Sequence, residues 1–350
     1  MDGVESLQKE IPQKIKFISA GQLCAAPPRT DWIVKDYLNK NSMSTLFGEP
    51  GSMKTFAAID QGLCVATNTE WHGQEIRQSG PVFYIAGEGI HGIRRRLKAW
   101  SIAHEIPLDD VPFFVSDRPA QFLNKESALD VVAGFEGLKE EHGDPVLVIV
   151  DTLNRNFGSG DENSTEDMTR FISTIDEHIR IPYECAVLIV HHTGLTNTNR
   201  TRGSSALRGA LDWEYMLKKN SETINLSCTK SKDYENPPNM TFKPEIITID
   251  DWNDPEENEP MTSLVLRSTT TAQGQRTLTG ANKIAYDALL SCGNENVHID
   301  TWRDAAYSMK ISPANTPESN KKAFQRAVEG LVKGGYVTKQ ADHYFPNRDI

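Results

Sequence analysis

No stretch of this sequence approaches the ~20 consecutive apolar residues of a membrane-spanning helix, so neither a membrane span nor a membrane partner is expected. Paired thiols are also lacking. The five cysteines, Cys24, Cys64, Cys185, Cys228 and Cys292, are scattered, with no C-x-x-C pair and no histidine at metal-ligand spacing. That excludes a zinc ribbon or a disulfide framework and points to reduced thiols in a cytoplasmic protein. Basic residues are outnumbered, 37 against 48 acidic ones, for a formal charge of −11. A surface coated all over by nucleic acid is therefore excluded, and such a partner would have to meet a local basic patch or a lined channel. The opening MDGVESLQKE is polar and acidic, so no secretory signal is expected there. No internal repeat stands out.

What is present fits an ordinary globular chain of more than one domain, with 350 residues, 38% hydrophobic and 24% charged. Between about residues 43 and 230, the apolar runs STLF, PVFYIA, PFFV, PVLVIV and AVLIV alternate with amphipathic stretches. FAAIDQGLCVAT, GIRRRLKAWSIAH and TEDMTRFISTIDEHI carry helical pattern. Near-continuous apolar strands alternating with helices predict an α/β fold, a mainly parallel sheet flanked by helices. Farther on, TINLSCTKSKD, FKPEIITID and SLVLRS predict an antiparallel extension, and DDWNDPEENEP an acidic loop.

FGEPGSMKT has the outline of a phosphate-binding loop, G-x-x-x-x-G-K-[ST], with Gly48, Lys54 and Thr55 in place. Glu49, Pro50, Gly51, Ser52 and Met53 complete it, and STLF before it with a helix after it give the context such a loop needs. Thr55 offers a hydroxyl to Mg²⁺. Met53 occupies the position of the second glycine. A side chain there is unfavourable if φ is positive, by roughly 1 kcal/mol or more, and costs little if the backbone is α-like.

Asp151 ends the strand PVLVIVD, where an acid would hold Mg²⁺. Gly87-Glu88-Gly89-Ile90-His91-Gly92 formally matches G-x-G-x-x-G, but the acid expected to end a second strand ~20 residues later is missing. Glu88 is read instead as a carboxylate at the tip of the strand beside the loop strand, orienting the attacking water. AVLIV runs into His191 and His192. Adjacent strand residues point to opposite faces, so one is expected to be buried and the other to sense the γ-phosphate. Arg200 and Arg202 lie on a polar loop, suited either to a DNA phosphate or to a γ-phosphate in a neighbouring subunit.

Together FISAGQLCAAPP, DWIVKDYL, LFGEPGSMKTF, GPVFYIAGEG with GIRRRLKAW, VLVIVDTLNRNF, VLIVHHTG and TRGSSALRGALDWEY with TKSKD resemble the RepA-type replicative helicases of plasmids and phages. The resemblance runs from about residue 15 to residue 250. It implies a RecA-like P-loop core and a ring, a hexamer, with ATP sites between subunits and single-stranded DNA in its channel. Carried over by motif, Lys54 and Thr55 hold phosphates and Mg²⁺, Glu88 is the catalytic carboxylate, and Asp151 is the second Mg²⁺ residue. The sensor lies within His191-His192, and Arg202 is the finger acting in trans. Lys230 and Lys232 contact nucleotide across the interface, and a replication-initiation partner is implied. ATP and Mg²⁺ are the expected cofactors, and Arg200 and Arg208 candidate DNA contacts.

The expected organisation is an N-terminal extension packed on the core (1–40), an ATPase domain (41–268), a linker (269–281) and a small winged-helix domain (282–350). In the last, Asp300 is read as an N-cap, Thr316 as a cap before Pro317, Gly334-Gly335 as a helix stop, and Ala341-Asp342 as a hairpin turn. Lys321, Lys322 and Arg326 form a basic helix face opposite Phe324, Val328 and Leu331, able to meet DNA. Two other functions fit the same residues. One is a RecA-like ATPase that loads or remodels replication proteins on DNA without unwinding it. The other is a DNA-binding regulator whose loop holds nucleotide structurally.

Overall fold

The computed structural model describes residues 17–27, 30–87, 89–194, 200–256, 258–269, 280–293, 296–312, 314, 316–333, 336–340 and 342–347. A short helix α1 (Ala20–Leu23) and a small hairpin, β1 (Trp32–Val34) with β2 (Leu38–Asn39), come first. Then follow β3 (Met43–Gly48), α2 (Lys54–Thr67), β4 (Val82–Ala86), α3 (Ile90–His104), β5 (Phe113–Val115) and α4 (Lys125–His142). Next are β6 (Leu147–Asp151), α5 (Leu153–Phe157), α6 (Thr165–Ile175), a π-helical turn (Asp176–Arg180), α7 (Ile181–Tyr183) and β7 (Ala186–His192). After α8 (Ser205–Ala210) come β8 (Trp213–Lys219), β9 (Ile224–Ser231), β10 (Met240–Asn253) and β11 (Pro260–Ser268).

These strands form one nine-stranded sheet in the order β11-β10-β9-β8-β3-β7-β6-β4-β5. From β8 to β5 every pairing is parallel, and β9, β10 and β11 extend the sheet antiparallel. Strand β6 explains why the apolar runs are unbroken. Leu147 and Ile149 enter the core under α2 and α3, while Val148 and Val150 enter the core under α4, α5 and α6. A strand buried on both faces cannot alternate polar with apolar. On the first face, the buried Asp60 carboxylate of α2 accepts hydrogen bonds from Trp71 Nε1 (3.0 Å) and Trp100 Nε1 (2.9 Å), tying α2 to α3.

Several expectations change. Strand β4 is not the neighbour of β3, because β7 and β6 lie between them. Each parallel crossover can step over a different number of strands, so chain order does not fix spatial order. Helix α4 escaped the pattern reading because its 18 residues bury only Ala128 and Phe135. Strand β8 adds a sixth parallel member. Asp250–Asn253, read as loop, belong to β10, and the helix after residue 165 passes into a π-turn at Asp176. In the N-terminal extension, Ile33, Val34, Tyr37 and Leu38 pack on the core, whereas α1 buries nothing.

Beyond the sheet lie α9 (Gly280–Ser291), β12 (Val297–His298), α10 (Ile299–Ser308), α11 (Pro317–Lys333), β13 (Val337–Gln340) and β14 (His343–Pro346). The three strands pair in the order β12-β14-β13 around their own core, which includes Leu289, Trp302, Phe324, Leu331 and Tyr344. His298, rather than Asp300, caps α10, its ring accepting from the Asp300 amide (3.3 Å). Thr316 caps α11 by accepting from the Ser319 amide (3.3 Å). Most of the linker, Gly334-Gly335 and Ala341 lie outside the described residues. Among the described residues no helix is long and apolar enough to cross a membrane.

Candidate active site

Four carboxyl-terminal strand ends meet where a parallel sheet offers its crevice. Gly48 ends β3 directly opposite His192 of β7. Asp151 ends β6 opposite Val190 of β7 and Ala86 of β4. The loop from Gly48 then turns into α2, whose N-terminus carries Lys54 and Thr55. Glycine is required at Gly48, where a Cβ would collide with the Leu217 carbonyl and Ser52 Oγ. Gly87 is equally constrained, since its amide donates to the Asp151 carbonyl (2.6 Å) and a Cβ would strike Arg155.

Lys54, Thr55, Asp151 and His192 all line one cavity of about 490 Å³, which is lined also by Gly89, the N-cap of α3, and by Gly92 and Arg96 within that helix. Lys54 Nζ donates to the carbonyls of Gly48 (3.0 Å) and Glu49 (2.8 Å), folded onto the loop that a phosphate would occupy. Burial pushes its ammonium down to about 8, against the attraction of Asp151. Asp151 is buried, and burial raises its carboxyl above the usual range. Hydrogen bonds from Tyr84 and Thr55 and the charges of Arg96 and Lys54 oppose that rise. A cation bound here would favour the carboxylate. Mg²⁺ on a nucleotide needs only one or two protein oxygens, and Thr55 Oγ1 and Asp151 supply them side by side, so the donor set fits.

Met53 has φ 70° and ψ 23°, the left-handed conformation. The unfavourable alternative therefore holds, and this loop carries strain of about 1 kcal/mol that glycine would lack. Met53 nonetheless lines the cavity without filling it.

The histidine pair divides as the strand geometry requires. His191 is wholly buried on the face away from the cavity, and its Nε2 bonds the Arg202 carbonyl (2.8 Å). Burial holds it down at about 4, so it is neutral at physiological pH. The catalytic assignment of His191 is corrected to a structural one, and His192 alone faces the cavity.

Gly48, Glu49 and Ser52 open instead onto a second recess of about 370 Å³ on the other side of the loop. Arg202 lies away from the cavity, its Nε 2.6 Å from Glu162 Oε1 of the same chain. Arg208 pairs likewise with the fully buried Glu214 (3.1 Å). Lys230 Nζ donates to the Arg208 (2.5 Å) and Leu211 (2.6 Å) carbonyls, and Lys232 lies 3.6 Å from Asp212. Neither lysine touches this chain's own cavity. Arg200 is exposed on the loop, as are Lys321, Lys322 and Arg326 on α11. Glu88 lies outside the described residues.

Sequence reasoning missed Tyr84 and Arg96. Arg96 lines the cavity with its guanidinium 4.6 Å from the Phe56 ring centroid. The run of three arginines in GIRRRLKAW was the available signal, and helical spacing alone could not say which one turned inward. A family model described as an AAA domain matches residues 9–197. No curated protein matches the chain.

Proposed function

The chain belongs to the AAA-domain family, a P-loop ATPase, and from that premise we propose that it is an ATP-driven DNA helicase or translocase of the RepA type. In this reading it hydrolyses ATP at the subunit interfaces of a ring and moves on single-stranded DNA during replication of a phage or plasmid. The observation that carries the proposal is the convergence of Lys54, Thr55, Asp151 and His192 on one cavity at the ends of adjacent parallel strands. Lys54 neutralises phosphate charge. Thr55 and Asp151 would hold Mg²⁺, which supplies charge stabilisation to the transferring phosphoryl group when bound. His192 reports whether the γ-phosphate is present, and Glu88 is assigned from sequence to orient the water.

The polar segment directly following His192 carries Arg200, Arg202 and Arg208. A strand-end sensor continuous with a basic segment supports coupling of hydrolysis to a polyanion. The test is DNA-stimulated ATP hydrolysis, expected in the wild type and lost in Lys54→Ala, followed by strand displacement on duplexes tailed at either end. DNA-dependent hydrolysis without unwinding of either substrate would overturn the helicase reading in favour of a loader. Hydrolysis indifferent to DNA would overturn both.

A further inference from the structure

Three of the four most exposed large apolar side chains of the described residues lie in one short segment, the fourth being Ile246 of β10. Phe17 is 94% exposed, Leu23 70% and Ile18 64%, and α1 among them buries no residue. A soluble chain does not ordinarily leave such a cluster uncovered. The segment is also basic: residues 11–29 contain Lys14, Lys16 and Arg29 and no acid.

At the far edge of the sheet lies a groove of about 230 Å³ between β4, β5 and α4. Phe83, Phe114, Val131, Phe135 and Leu138 supply its apolar floor, and Asp117, Arg118 and Asp130 stand on its rim, Arg118 paired with Asp130 (3.1 Å). The solvent face of α4 adds Glu126, Glu136, Glu140 and Glu141 against Lys125 and Lys139, so the surroundings of the groove remain net acidic. Sign and polarity thus complement the N-terminal segment on both counts.

Their placement decides which copy meets which. The segment leads into Trp32, whose ring packs on Trp213 of β8 (5.9 Å between centroids) and on Tyr234 (5.0 Å). Five strand spacings separate β8 from β5, about 24 Å at ~4.8 Å each. Two unlike, complementary surfaces set apart on one subunit are the requirement for head-to-tail association, which closes into a ring when the rotation permits. We propose that Phe17, Ile18 and Leu23 of one copy dock into the β4–β5–α4 groove of the next copy. The inference deepens the ring reading above and rests on it only for the number of copies.

The test uses the full chain and sedimentation velocity, with and without ATP and single-stranded DNA. Wild type is expected to assemble, and the double variant Phe17→Asp, Ile18→Asp to sediment as a single chain. On the acceptor side Gly134→Trp is suitable, because a Cβ at Gly134 meets nothing within 4 Å and glycine within a helix is already unfavourable. It should fold, as circular dichroism and melting would verify, yet fail to assemble. A fluorescent peptide of residues 14–26 should bind the double variant and lose affinity by about 30-fold or more when Gly134→Trp is added, as for loss of an aromatic anchor. High salt should weaken this binding.

Three results would overturn the proposal: a monomeric wild type under all conditions, assembly unimpaired in either variant, or peptide binding indifferent to Gly134→Trp. The function stands or falls separately. Wild-type rings that depend on Phe17 but hydrolyse ATP without regard to DNA would retire the translocase reading and leave the docking intact.

Discussion

Arg202→Ala should destabilise the core as well as test catalysis. The Glu162 side chain is 5% exposed, and its guanidinium partner is 45% exposed. Among the described residues neither Glu162 oxygen accepts a well-aligned hydrogen bond. The pair also closes a seam. Ser204 N donates to the Glu162 carbonyl (2.9 Å), Arg202 N donates to the His192 carbonyl (2.9 Å), and the Thr165 and Ser204 hydroxyls meet at 3.1 Å. Stripping one partner from a buried ion pair costs about 3–5 kcal/mol. Solvent reaches half of this arginine and screens the pair, so the expected loss is nearer 2 kcal/mol. Urea unfolding followed by tryptophan fluorescence reads that loss as a lower midpoint at unchanged slope. Adding Glu162→Gln to Arg202→Ala should recover most of the stability, with a coupling of about 1–2 kcal/mol in the double-mutant cycle. An Arg202→Ala midpoint equal to wild type, or no recovery in the double variant, would refute this reasoning. The finger role is then testable in the Glu162→Gln background. Mixing Arg202→Ala chains with Lys54→Ala chains should restore some hydrolysis if Arg202 acts in trans.

Met53→Gly should be more stable than Met53→Ala by about 1 kcal/mol, because both lose the same side-chain contacts but only glycine accepts positive φ freely. The reverse order in thermal melts would show an α-like backbone at this position. His191 is held at about 4 against an ordinary 6.5, so the unfolded chain binds the extra proton between those values. Stability should fall as pH drops from about 6.5 to 4, and His191→Asn should flatten that slope in urea titrations. His192→Ala should lower the turnover number at nearly unchanged stability, the opposite pattern to a buried histidine. Tyr84→Phe removes a hydrogen bond that opposes the upward shift of Asp151, so the acid limb of Mg²⁺-dependent hydrolysis should move to higher pH. Arg96→Ala should weaken nucleotide binding while Arg96→Lys retains part of it, read by fluorescent-nucleotide titration.

The α/β class was legible because strands covered on both faces must be apolar throughout, and the loop from Gly48 to Thr55 because backbone amides around a phosphate demand that spacing. Asp151 was legible as an acid at the end of such a strand. Period-two geometry required one of His191 and His192 to be buried, but only the register of β7 between β3 and β6 decided that it was His191. Strand order was likewise silent, and it moved the Asp151 and His192 strands between β3 and β4. The pairing of Arg202 with Glu162, 40 residues apart in sequence, and the inward turn of Arg96 depend on where loops and helix faces come to rest. Local sequence sets which residues can sit on a strand, a turn or a buried face. Which of them share a cavity is a long-range outcome of packing, and it belongs to the tertiary structure alone.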